Sequence, residues 1–170
     1  MKKLNLIALA VLFASSAAYA VDVTNNFNVS VNFTGACQVL TPATDMAFTY
    51  AAFGVADTKS TSTVFKCSRG LAPTFKFDNT GAAQTGSAAG AVGAAITGEG
   101  VISGIRYTLS GSSAKSTTGT AAAAGAGGTG GSDGTADQYT VSINADIAGD
   151  QAGNGASGSG THVRVLTISY

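Results

Sequence analysis

Residues 21–33 alternate along the chain with a period of two. Val21, Val23, Asn25, Phe27, Val29, Val31 and Phe33 take the odd positions, and Asp22, Thr24, Asn26, Asn28, Ser30 and Asn32 the even ones. One apolar face and one polar face predict a half-buried β-strand. Left bare, an apolar edge of this kind promotes aggregation. The strand needs a sheet to enter, and the rest of the chain decides whose sheet that is.

The segment stands directly behind an export signal. Lys2 and Lys3 form a basic start, an apolar run follows over 4–13, and Ala18-Tyr19-Ala20 is an A-x-A cleavage site. The apolar run is short for a bilayer span, and small residues follow it rather than a stop-transfer cluster. Cleavage after Ala20 leaves about 150 residues, the length of one domain. Without Lys2 and Lys3 the balanced charge becomes slightly acidic. No basic stripe exists to neutralise phosphates, so nucleic acid is excluded as a partner.

Two cysteines, Cys37 and Cys67, occur in this exported chain, and pairing is the expectation for such a count. The closed loop of about 30 residues contributes roughly 3–4 kcal/mol in the chain-entropy account.

Six short segments behind the leading one carry strand character: 36–40, 62–67, 74–78, 104–110, 138–143 and 162–170. The clearest alternations are Phe75 and Phe77 against Lys76, and Tyr139, Val141 and Ile143 in one row. No segment shows a helical period with caps. Stretches rich in Gly, Ala, Ser and Thr over 81–100, 111–137 and 148–160 are predicted to be loops. Short strands between Gly-rich turns indicate a β-sandwich or barrel.

An immunoglobulin-type sandwich wants about seven strands, one more than the six counted here. The segment 162–170 carries Val163 and Val165 on one face and Leu166, Ile168 and Tyr170 on the other, and it ends without a return strand. It reads as a strand that lacks a neighbour. The leading strand cannot fill that place within its own molecule. Only Thr34-Gly35-Ala36 separates Phe33 from Cys37, a reach of about 10 Å. The segment therefore either prolongs the first strand or projects outward; projected outward, residues 21–33 span roughly 40 Å, enough to enter a neighbour.

These features together resemble the spore coat protein U domain family, which includes the Csu-type major subunits of archaic chaperone–usher pili. The resemblance rests on five pieces in order. They are the alternating segment with Gly35-Ala36-Cys37, the Phe48 and Phe53-Gly54 region, the run from Ser62 through Cys67 to Gly70, the Ile105–Leu109 strand, and Tyr139-Thr140-Val141 with the closing Val163–Tyr170 segment. It implies an all-β, incomplete immunoglobulin-like sandwich (the pilin fold), with residues 34–170 as the domain and 21–33 as a donor strand. A periplasmic chaperone first fills the groove, and an outer-membrane usher exchanges it for the next subunit's strand. Val23, Phe27, Val29, Val31 and Phe33 would be the donor residues. Val163, Val165, Leu166, Ile168 and Tyr170 would form the acceptor and chaperone-contact strand. The implied partners are identical or related subunits in a fibre at the cell surface. The long insert at 111–137 is richer in Gly and Ala than the resemblance leads one to expect.

Other function classes have less behind them. A single His, His162, and a single Glu, Glu99, leave little for acid–base or nucleophilic chemistry, so no enzyme, small-molecule substrate or cofactor is expected. Gly127 to Asp133 loosely resembles a Ca²⁺ repeat, with Asn144, Asp146 and Asp150 as further oxygen donors, but one imperfect copy reads better as a solvated loop, and no metal is expected. A secreted carbohydrate-binding sandwich would want exposed aromatics, and the chain has no Trp. A spore or cell coat protein is the nearer alternative.

Overall fold

A computed structural model describes residues 25–78, 81, 83–127 and 130–170. The export signal expected over 1–20 lies outside the described residues, as do positions 21–24 with Val23. The chain divides into two compact units, Met1–Phe33 and Thr34–Tyr170. In the first, residues 25–33 belong to no strand. A strand is defined by its ladder, and alternation alone supplies no hydrogen-bond partner.

The second unit is all-β, with no helix among the described residues. Its strands are β1 (Cys37–Thr41), β2 (Asp57–Cys67), β3 (Thr74–Asp78), β4 (Gln84–Thr85), β5 (Gly90–Ala91), β6 (Ala95–Ile102), β7 (Ile105–Thr117), β8 (Asp137–Ile147) and β9 (Val165–Ser169). They form two antiparallel sheets in a sandwich-like arrangement. The larger runs β1-β2-β8-β7-β6-β4 and the smaller β5-β3-β9.

Period-two patterning builds the core. Along β8, Asp137, Tyr139, Val141, Ile143, Ala145 and Ile147 are all buried, while the residues between them face outward. From β7 come Tyr107 and Leu109, from β2 Phe65 and Cys67, from β6 Ile96, and from the smaller sheet Phe75 and Phe77. Each large side chain buried here stabilises by about 1.5–3 kcal/mol before entropy costs. Phe75 meets Phe65 and Tyr139 in tilted contacts with ring centroids 6.1 and 6.3 Å apart. Cys37 and Cys67 form the expected disulfide and lie opposite each other in the β1–β2 register.

The structure corrects several expectations. The stretch 81–100, predicted as loop, holds β4, β5 and most of β6. β6 reads as loop because of Gly98 and Gly100. Both are required by close approach: a Cβ at Gly100 would stand 2.5 Å from the Tyr107 hydroxyl, and one at Gly98 would stand 2.8 Å from Arg164 Nη2. Ser103 and Gly104, with φ of 52° and 76°, form the two-residue turn joining β6 to β7. Positive φ at both positions matches the right-handed twist of hairpin strands. β2 begins at Asp57 rather than 62, and β7 continues through Thr117 into the stretch expected to be loop. Residues 162–164, predicted to open the final strand, precede β9, because its partner β3 ends with Asp78 opposite Val165.

The remaining insert is tied at its base. Asp137, 1% exposed, accepts hydrogen bonds from the Gly119 amide at 2.7 Å, the Gly70 amide at 3.0 Å and Lys115 Nζ at 2.9 Å. These donors, Lys115 foremost, hold its carboxyl well below the usual carboxylate range. The carboxylate in turn raises the Lys115 pKa. Further out, Thr120 and Thr135 pair by backbone and side chain, and Ala123 pairs with Ser132.

Candidate functional site: an apolar groove at two sheet ends

β1 ends the larger sheet and β9 ends the smaller one. Among the described residues no strand covers the outer edge of either. An end strand presents unpaired N–H and C=O groups and is a ready template for another chain.

A groove of about 830 Å³ connects these features. Val39 of β1 and residues 42–48 contribute to its lining, as do residues 158–164 and Leu166. Core side chains reach it as well: Phe65, Phe77, Leu109, Ile143, Ala145 and Ile147. All of these residues belong to the unit Thr34–Tyr170. Met46, Phe48 and Tyr50 pack partly buried against the same core. The Tyr50 hydroxyl donates to the Gly54 and Ala148 carbonyls, each at 3.2 Å, and accepts from the Gln151 amide at 3.0 Å. That network anchors the strandless segment between β1 and β2.

A connected polar patch lies in the groove wall. Tyr107 Oη and His162 Nδ1 share a hydrogen bond of 2.8 Å, with ring centroids 5.6 Å apart. Burial raises the Tyr107 pKa, and the neighbouring Arg164 opposes that shift. Arg164 Nη1 donates to Gln84 Oε1 at 3.1 Å and to the Glu99 carbonyl at 3.2 Å, and Nη2 donates to the Thr85 carbonyl. Its Nε is buried with no hydrogen-bond partner among the described residues.

The acceptor residues expected from sequence divide by environment. Leu166 and Ile168 are half-buried against the core, and Leu166 lines the groove. Val163 is also in the lining but is 70% exposed. Val165 is partly exposed, and Tyr170 stands 60% exposed beyond the end of β9. Asp78, opposite Val165, accepts from the Thr167 hydroxyl and pairs with Lys76 at 2.8 Å. Lys76 first and Thr167 second lower the Asp78 pKa. Of the donor residues, Phe27, Val29, Val31 and Phe33 are 78 to 82% exposed.

Sequence reasoning missed Val39, Met46, Phe48, Tyr107 and Arg164 as groove residues. Tyr107 and Arg164 lie within predicted strands, but nothing local shows that they meet. The groove is assembled from segments more than a hundred residues apart.

The arrangement has surface for binding an extended chain. Among the described residues no three His, Cys, Asp or Glu side chains gather where they could hold a metal. No protein family, curated protein or solved structure matches the chain.

Proposed function

We propose that this protein is a structural subunit of a surface fibre of the archaic chaperone–usher type. It polymerises by donor-strand exchange and supports adhesion and biofilm formation. The observation that carries this reading is the coexistence of two complementary features. An apolar groove lies at two uncovered sheet ends, and the same chain carries an alternating segment whose apolar row is exposed.

Two opposing terms govern exchange between molecules. Burial of Val23, Phe27, Val29, Val31 and Phe33 in a neighbour would contribute on the order of 8–15 kcal/mol gross. Ordering the segment costs about 1–2 kcal/mol per residue, as much as that burial supplies or more, so the ladder hydrogen bonds must contribute to any net gain. Slow escape from a completed ladder then secures the fibre as much as affinity does. Before assembly, a periplasmic chaperone covers the groove, and an outer-membrane usher catalyses exchange. The protein passes through the periplasm to the cell surface. In this reading the fold is a pilin sandwich completed by its neighbour's strand.

The test is a protein lacking residues 1–33 but given a heterologous export signal, produced with its chaperone. It should fold, bind the chaperone and form no fibres by electron microscopy, while the full chain forms thin fibres. A truncated protein that still polymerises would sink the proposal. A coat layer in place of fibres around producing cells would favour the coat-protein alternative.

A further inference from the structure

Polar groups interrupt both the groove and the apolar row of the alternating segment. In the groove the patch of Arg164, Tyr107 and His162 stands out, because Arg164 Nε is buried there without an acceptor. No carboxylate among the described residues lies within ion-pair distance of Arg164. A buried N–H on a charged group is unfavourable until something accepts from it. In the segment the break is Asn25, the one polar residue among the odd positions of 21–33. Its amide offers a carbonyl acceptor and two N–H donors.

We propose that Asn25 of a second copy of this chain bonds Arg164 and thereby sets the register in which the strand seats. This rests on the donor-strand reading and adds to it a specific contact, a direction and a register.

Parity permits the match. Leu166 and Ile168 pack toward the core while Val165 is more exposed, so even positions near β9 face inward. The odd, apolar row of the incoming strand faces inward too. Opposed residues on neighbouring strands point to the same side of a sheet, so Asn25 can stand opposite Arg164.

Position fixes the direction. The groove lining runs from Gly158 to Arg164 and on to Leu166, but not to Ile168 or Tyr170. An antiparallel strand with Asn25 opposite Arg164 puts Val23 opposite Leu166, Phe27 opposite His162, Val29 opposite Gly160 and Val31 opposite Gly158. Its apolar row then covers the lined stretch. A parallel strand with the same match would set Phe27 at Leu166 and carry Val29 to Phe33 beyond it and off the lining. Antiparallel addition also continues the pattern of β5, β3 and β9. A slip of two residues would set Phe27 against Arg164 with Asn25 at Leu166, or Val23 against Arg164 with Asn25 at His162, whose Nδ1 is already engaged by Tyr107; in both, an apolar side chain faces the unpaired Nε.

Pairs of cysteines on the outward faces read the register directly. Thr161 and Asn28 are exposed and become directly opposed, close enough for a disulfide. Full-length protein carrying Thr161→Cys with Asn28→Cys, assembled with its chaperone, should give a non-reducing ladder of linked subunits. The pairs Thr161→Cys with Asn26→Cys and Thr161→Cys with Ser30→Cys should give at least several-fold less. Adding Asn25→Val should spread crosslinking over the three pairs, and Asn25→Asp, which keeps an acceptor, should restore the first. Fibres whose ladder is strongest in another pair, or is unmoved by Asn25→Val, overturn the register. Absence of fibres from the unmodified chain overturns the donor-strand reading itself, and this inference with it.

Discussion

Asp137 is the buried charge on which the base of the long insert depends. Its carboxylate serves two backbone amides and one ammonium, and removing it leaves the buried Gly119 amide and the part-buried Gly70 amide without their acceptor. Asp137→Ala should cost about 2–4 kcal/mol by urea unfolding, since each orphaned buried donor carries a desolvation penalty. Asp137 and Asp78 both have carboxyl pKa values held below the ordinary 3.8. The unfolded chain therefore takes up protons before the folded one does. The stabilisation is complete well above pH 3.8 and is lost progressively as the pH falls below it. Unfolding free energy measured from pH 7 down to pH 2 should fall in that acid window. Asp137→Asn should be less stable at neutral pH and show a shallower acid decline. An unchanged acid slope would assign the dependence to other carboxyls. Gly100 is the apolar counterpart. Its place opposite Tyr107 admits no Cβ without displacing the ring, so Gly100→Ala should destabilise by about 1–3 kcal/mol.

At the scale of the element, β1 is short, and every residue after Cys37 in it is exposed. The disulfide to Cys67 fastens it at its first residue, beside the groove that Val39 helps to line. Replacing both cysteines by serine should lower stability by about 3–4 kcal/mol in the chain-entropy account. Hydrogen exchange should rise most in β1 if the bond chiefly holds that strand, and uniform loss across both sheets would contradict this. Strands with plain alternation were legible from sequence: β3 through Phe75 and Phe77, and β8 through Tyr139, Val141 and Ile143. β6 was not, because Gly98 and Gly100 carry a strand whose glycines answer to partners distant in sequence. Asp137 looked like a loop acid, since its three donors come from separate segments. The uncovered edges of β1 and β9 follow from sheet order, which no local pattern contains. Of the groove, Leu166 was legible from sequence as an acceptor residue, though not which face of its strand turns inward, whereas Arg164 became informative only once its unpaired Nε was seen.

For the whole molecule, the groove should behave as a binding site for residues 21–33 supplied from outside. Protein consisting of residues 34–170, a compact unit in its own right, isolates that site from the segment proposed to fill its neighbour. A synthetic peptide of residues 21–33 should raise its melting temperature in a concentration-dependent way, because a ligand that binds only the folded state stabilises by mass action. At a hundredfold excess over Kd the gain is about 2.7 kcal/mol. For a domain of this size that corresponds to a shift of roughly 10 °C. A peptide carrying Phe27→Asn, Val29→Asn and Val31→Asn keeps the backbone donors and acceptors but loses the apolar row, and it should give little or no shift. Equal shifts from the two peptides would mean that backbone pairing along β9 suffices and the groove is not read. A shift produced by soluble glycans instead would move the protein to the carbohydrate-binding class. The rate adds a separate criterion. If strand addition is what locks a fibre, peptide release should be far slower than for a surface contact of similar affinity, because leaving requires the whole ladder and the apolar row to come out together.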